Sequence, residues 1–130
     1  MADWDDVRRI CAGLPGTGEE RSGQGHLGWT VGRRRFAWER PLRRADLAFL
    51  GDAAPAGPVL AVHTRDLTVK DAHLAEFPEL CFTTPHFDGY PAVLVRLADA
   101  RPGDLEELLS GIWLLHAPRA LAREPVMRGR

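Results

Sequence analysis

Residues 26–40 carry the pattern that most restricts the fold. Leu27, Trp29 and Val31 alternate with His26, Gly28 and Thr30, and Arg34, Phe36 and Trp38 then alternate with Arg35, Ala37 and Glu39. A period of two marks a half-buried strand. Gly32-Arg33 between the runs predicts a two-residue hairpin turn of type II′. That turn pairs Val31 with Arg34, Trp29 with Phe36 and Leu27 with Trp38, which places the apolar residues on one face. The other face, with Thr30 opposite Arg35 and His26 opposite Glu39, is expected to be wet. A slip of one residue would expose two tryptophans.

Such a hairpin needs more strands and a helical layer to bury its apolar face, and the flanking sequence supplies both. Trp4, Val7, Ile10, Cys11 and Leu14 recur at helical spacing after a capping Asp3, and Gly13 and Pro15 stop that helix. Gly16 to Gly25 reads as a loop; it lacks both the G-x-x-x-x-G-K-[ST] and the GxGxxG patterns of phosphate loops. Pro41 to Leu50 reads as a short helix with Leu42, Ala45 and Phe49 on one face. Asp52–Pro58 is a linker within the domain, and Val59–Thr64 is a third strand with Leu60 and Val62 on one side. Asp66 caps a helix from Leu67 to Phe77, with Leu67, Leu74 and Phe77 as core contacts.

Leu80–Thr84 and Tyr90–Leu97 form a second hairpin around an Asp88-Gly89 turn. A last helix begins at Asp104 in a capping-box arrangement with Glu107, burying Leu105, Leu108, Leu109, Ile112, Trp113 and His116. Arg119–Arg130 is a basic tail expected to fray. The expected fold is α+β with two layers. It has a five-stranded antiparallel sheet with helices on one face, in the order α-β-β-β-α-β-β-α. At 130 residues the chain fits a single domain, 1–130.

Composition narrows the function. Seventeen basic residues against eighteen acidic ones exclude a globally basic nucleic-acid binder, although a local patch remains open. Lys70 is the only lysine. The two cysteines, Cys11 and Cys81, form no CxxC motif and read as buried residues of a reducing compartment. The five histidines show no HExxH or HxxxH spacing, so no metal site and no cofactor are expected. No apolar run approaches the ~18 residues of a membrane span. The acidic start, Met1 to Asp6, lacks a signal-peptide core. A cytoplasmic protein without a membrane partner, a monomer or weak dimer, is the expectation.

The run Cys81-Phe82-Thr83-Thr84-Pro85-His86-Phe87-Asp88-Gly89-Tyr90-Pro91-Ala92-Val93-Leu94-Val95-Arg96-Leu97 resembles the signature stretch of the MmcQ/YjbR proteins. Leu14-Pro15-Gly16 with Glu19, Val31-Gly32 with Phe36-Ala37, and Trp113 with Ala117-Pro118-Arg119 extend the resemblance over roughly residues 4–121. It implies a CyaY-like two-layer fold and a DNA-binding role through a double wing of hairpins. Arginines 33–35 stand where the family turn carries a lysine.

Two candidate sites follow. The first is basic: Arg33, Arg34, Arg35, Arg40, Arg43 and Arg44 fall within twelve residues, offset by Glu39. Three of them, Arg33, Arg34 and Arg35, fall at or beside the hairpin tip as a wing that would contact the phosphate backbone of double-stranded DNA without reading sequence, or else the stretch is a solvated hairpin and helix surface. The second is Thr84, His86, Asp88 and Tyr90, which suit a non-catalytic site for a small-molecule or protein ligand, or a tight local turn. Asp88 could orient His86 for acid–base work, but no further residue completes an active site and no catalytic residue is assigned. Trp29, Phe36, Trp38 and Trp113 read as core, with a pocket wall as the minority role.

Overall fold

The computed structural model describes residues 1–122. Helix α1 (Trp4–Ala12) starts at Asp3, whose carboxylate accepts the Asp6 N–H while Asp6 returns the bond, and it stops at Gly13. Six strands follow in one antiparallel sheet: β1 (Thr17–Arg21), β2 (Leu27–Val31), β3 (Arg34–Glu39), β4 (Val59–His63), β5 (Cys81–Phe82) and β6 (Ala92–Arg96), in the order β1-β2-β3-β4-β6-β5. Helices α2 (Arg44–Leu50), α3 (Leu67–Glu76), α4 (Pro102–His116) and α5 (Arg119–Ala122) complete the chain.

The sheet therefore has six strands, not five. The extra one is β1, where a loop was expected. Its residues are almost all exposed and show no apolar alternation. What makes it a strand is backbone pairing along β2 from Thr17↔Val31 to Arg21↔Leu27.

The first hairpin departs from its expected turn and register. Gly32 and Arg33 both have positive φ, 55° and 70°, which is a type I′ turn rather than II′. Near the tip the pairing is as expected, Val31↔Arg34 and Thr30↔Arg35. Phe36 is then an extra residue in β3, and beyond this bulge Trp29 pairs with Ala37 and Gly28 with Trp38. Phe36 and Ala37 both enter the core that holds Trp29, while Trp38 turns to the other face.

That core lies beneath α1 and α4. Val7, Ile10, Cys11, Trp29, Phe36, Leu60, Val62, Val93, Val95, Leu105, Leu109, Ile112 and Trp113 form it, with Leu74 and Phe77 of α3 packed against it. Trp4 stacks on Trp29 with ring centroids 6.3 Å apart. The indole nitrogens of Trp29 and Trp113 donate to Glu19 and to the Pro15 carbonyl. The face expected on α4 is buried as drawn, but the helix begins two residues early, at Pro102, without a side-chain cap at Arg101. Proline's fixed φ suits the first turn.

Helices do not keep to one face. On the other side Trp38, Val59, Ala61, Phe82, Phe87, Ala92 and Leu94 form a second cluster, closed by Leu42 and Leu50 around α2 and by Phe87 of a 3-10 turn, Pro85–Phe87. Helix α2 is shorter than expected, and Phe49 is exposed; its contacts are Leu42 and Leu50, with Asp46 buried. Leu67, at the first position of α3, is 47% exposed rather than core. The strands expected at Leu80–Thr84 and Tyr90–Leu97 shorten to β5 and β6. The Pro85–Phe87 turn replaces the end of one, and a turn at Asp88-Gly89, with φ of −59° and 73°, delays the other. Part of the expected tail is α5, whose Leu121 packs at Gly16; residues 123–130 of that tail lie outside the described residues.

Candidate functional site

One row of paired residues crosses the second face: Glu20, Gly28, Trp38, Ala61, Leu94 and Phe82. Over Leu94 and Phe82 it is covered. Gly28 has no side chain of its own and is buried under the flanking side chains of Glu20 and Arg35, which with Trp38 floor an opening. An open cleft of about 700 Å³ lies there, lined by Glu20 and Arg21 of β1, Gly28, Arg35, Trp38, the segment Glu39 to Arg43, and His86, Phe87 and Tyr90. The basic stretch and the Thr84–Tyr90 loop, distant in sequence, are two walls of this cleft.

The six arginines do not form one ridge. Arg33 is exposed at the turn and Arg34 beside it. Arg34 leans to the α4 side, where its charge helps hold down the pKa values of His63 and His116. Arg35 goes to the opposite face, its guanidinium 4.4 Å over the Trp38 ring. Arg40 is buried rather than a surface contact. It donates to Asp46 at 3.2 Å and to the Pro41 carbonyl, and it lies 5.3 Å from the Phe87 ring. Arg43 lines the cleft; Arg44, in the first turn of α2, is exposed outside it. Burial pushes the Asp46 carboxyl up, but the Arg43 backbone N–H, the neighbouring Thr84 side chain and the Arg40 guanidinium outweigh it and hold the group below its ordinary range.

The second set is also divided. His86 and Tyr90 line the cleft, and both are exposed. The Tyr90 ring meets His63 edge-on at 5.4 Å. Asp88 is exposed and makes no hydrogen bond to His86 among the described residues. Thr84 is buried beneath the loop, 1% exposed; its hydroxyl lies close enough to Asp46 to help hold that carboxyl down but makes no well-formed hydrogen bond among the described residues.

Three mycobacterial proteins are similar along nearly their whole length. Uncharacterized proteins Rv2570 and MT2646 of Mycobacterium tuberculosis and Mb2600 of Mycobacterium bovis are each 51% identical over 126 residues, covering 95% of this chain and 95% of their own. The chain belongs to their family. No family model matches it, and no solved structure matches it.

Three features of this family member escape a linear reading. Lys70 is buried, and its ammonium donates to the carbonyls of Phe87 at 2.6 Å and Tyr90 at 2.8 Å. The Arg40–Asp46 pair joins the start of the cleft wall to α2. His116, at the end of α4, donates from Nε2 to the His63 carbonyl at 2.7 Å, and the Arg65 N–H donates to His63 Nδ1 at 3.0 Å. Burial depresses both imidazole pKa values, and nearby arginines add to the effect. Only Lys70 carried a sequence signal, as the one lysine among sixteen arginines.

Chemically, the arrangement suits binding. The cleft offers four arginines against two glutamates, and Glu39 already accepts the Leu27 N–H at 3.0 Å. Both thiols are buried and pushed up to about 12, which removes them as nucleophiles at neutral pH. No helix among the described residues is long and apolar enough to cross a membrane.

Proposed function

We propose that this chain is a non-catalytic binding module that takes a small anionic, flat molecule in the cleft between Arg35, Trp38 and Arg43 on one side and His86 and Tyr90 on the other. One observation carries the reading: the arginine stretch and the Thr84–Tyr90 loop converge on a single cavity of about 700 Å³. That volume falls in the usual range for small-molecule sites. Arg35, stacked on Trp38, presents its other face as a platform for a planar group, and Arg43 supplies a second guanidinium for an anion. Binding is favoured over turnover because His86 and Asp88 do not pair. Membership of the MmcQ/YjbR proteins, and with it a CyaY-like fold, is part of the proposal. Its support is the stretch from Cys81 to Leu97 and the pairing of α1 with α4 beneath one antiparallel sheet. The two unpaired thiols favour a cytoplasmic setting.

The test is a thermal-shift screen of small aromatic carboxylates and phosphates. A ligand at a hundredfold excess over Kd should stabilise the protein by about 2.7 kcal/mol. The shift should vanish in Arg35→Ala and His86→Ala and weaken in Tyr90→Phe. A ligand whose shift survives all three changes binds elsewhere, and absence of any shift across the screen defeats the reading.

A second reading is sequence-independent contact with duplex DNA. It is favoured by Arg33 and Arg34 standing exposed at the β2–β3 turn. With Arg44 they would meet about three phosphates, giving a slope of log K against log salt near −3. A slope unchanged in Arg33→Ala with Arg34→Ala would remove them from the interface.

A further inference from the structure

We propose that Lys70 is the positioning residue of the cleft: from α3 its ammonium fixes the carbonyls of Phe87 and Tyr90 and so sets where His86 and Tyr90 stand. The significance of those positions rests on the cleft being the binding site; the tether itself does not.

The loop from Pro85 to Tyr90 has few anchors of its own. Its backbone bonds are local: Phe87 N–H to Thr84 O, Asp88 N–H to Pro85 O, Tyr90 N–H to Phe87 O, and Ala92 N–H, at the start of β6, to Tyr90 O. These shape the turns and join the loop's end to β6, but none ties it to a neighbouring element. Phe87, 5% exposed, is the one apolar side chain the loop buries in the second cluster. Lys70 supplies the polar attachment. Its side chain crosses from α3, is 6% exposed, and ends on two carbonyls three residues apart. Those carbonyls bracket Asp88 and Gly89, so the ammonium closes the base of the turn. Asp88, although exposed, adds a favourable field on the ammonium that offsets part of its burial.

The choice of side chain fits the role. Every other basic residue of this chain is arginine. An ammonium is compact and directs three donors tetrahedrally, whereas a guanidinium is a planar fork. Two carbonyls on one turn converge on a point, which suits the ammonium. Losing it would leave the Phe87 carbonyl with the Tyr90 N–H alone and the Tyr90 carbonyl with the Ala92 N–H alone, and neither of those bonds reaches α3.

The chain contains one lysine and one tyrosine, and both belong to this unit. Each end of the tether can therefore be read alone in the full-length protein. Acylation of Lys70 by an amine-reactive ester, followed by peptide mass spectrometry, should be slower by about 100-fold in the native chain than in urea, because modification requires local opening. In Lys70→Met the single tyrosine ring signal in NMR should lose the ring-current shift from His63, whose ring meets it edge-on, and move toward its unfolded-chain value, while the Trp29 and Trp113 indole signals stay in place. A native Lys70 that reacts as fast as in urea, or a Tyr90 signal unmoved in Lys70→Met, overturns the proposal. Should Lys70→Met fail to fold, the loop can be loosened from its own side. Gly89 has φ of 73°, and a Cβ there would touch nothing within 4 Å, so Gly89→Ala strains the turn without a clash. Lys70 acylation should then rise about tenfold, and an unchanged rate overturns the tether. Neither readout involves a ligand, so an empty ligand screen leaves this result intact, and a failed tether leaves any ligand found in the cleft unaffected.

Discussion

The two faces of the sheet are closed by different means. Beneath α1 and α4, Trp29, Phe36, Leu60, Leu109, Ile112 and Trp113 meet as apolar surfaces, each under 2% exposed. On the opposite face Trp38 and its neighbours are buried under a thinner cover, with Trp38 9% and Phe82 8% exposed. The roof is held by charges taken out of water, Arg40 with Asp46 and Lys70 with two carbonyls. The first face is an ordinary core, stable and silent. The second exchanges apolar cover for polar anchors and leaves a trough between Arg35 and Trp38 and the Pro85–Tyr90 loop. A protein that needs an opening in a small domain can keep one this way, because polar anchors hold a wall without filling the space beside it.

The sharpest way to break this contrast is to damage each face in turn. Trp29→Ala should cost about 4 kcal/mol in urea unfolding, the expense of a large cavity in a closed core. Asp46→Ala should cost about 3 kcal/mol, because Arg40 is left buried without its partner. Replacing both by apolar residues, Arg40→Met with Asp46→Leu, should recover most of that loss. If it does not, the pair does more than close the roof.

A third test uses acidity. His63 and His116 have folded-state pKa values below the ordinary ~6.5. The unfolded chain therefore binds more protons as pH falls through ~6.5, and stability present above that pH is progressively lost below it. His116→Phe should flatten the profile of unfolding free energy between pH 7 and 5. The smallest change is Gly28→Ala, whose Cβ would stand 3.4 Å from Arg35 Cδ and Glu20 Cγ. Because Gly28 is buried, the methyl presses on those two side chains, so stability should fall by about 1 kcal/mol and binding in the cleft should weaken. A ligand that binds Gly28→Ala normally would place the site away from the trough.

The apolar face was largely legible in the sequence. Helical spacing in α1 and α4 and the alternation in β4 and β6 each named the right residues, because burial against a continuous apolar layer imposes a period. The second face was not. β1 is held by backbone bonds and has an exposed, charged sequence, so no period marks it. Trp38 was assigned to the wrong side because alternation carries no sign of an inserted residue at Phe36. The cleft itself joins Arg35 and Arg43 to His86 and Tyr90, and no spacing rule relates residues that far apart. Lys70, which ties the second of those walls down, reads locally as one more polar residue on a helix.

The inserted residue at Phe36 also works as a change of phase along β3. Tipward of it, odd-numbered arginine faces the trough and even-numbered arginine faces the helices; past it the parity is reversed, and Trp38 takes the trough. One extra link lets a single short ribbon serve two masters, a turn that carries charge and a floor that carries an indole. Excising that link would put both out of step together, so the core and the trough are bound to the same residue count.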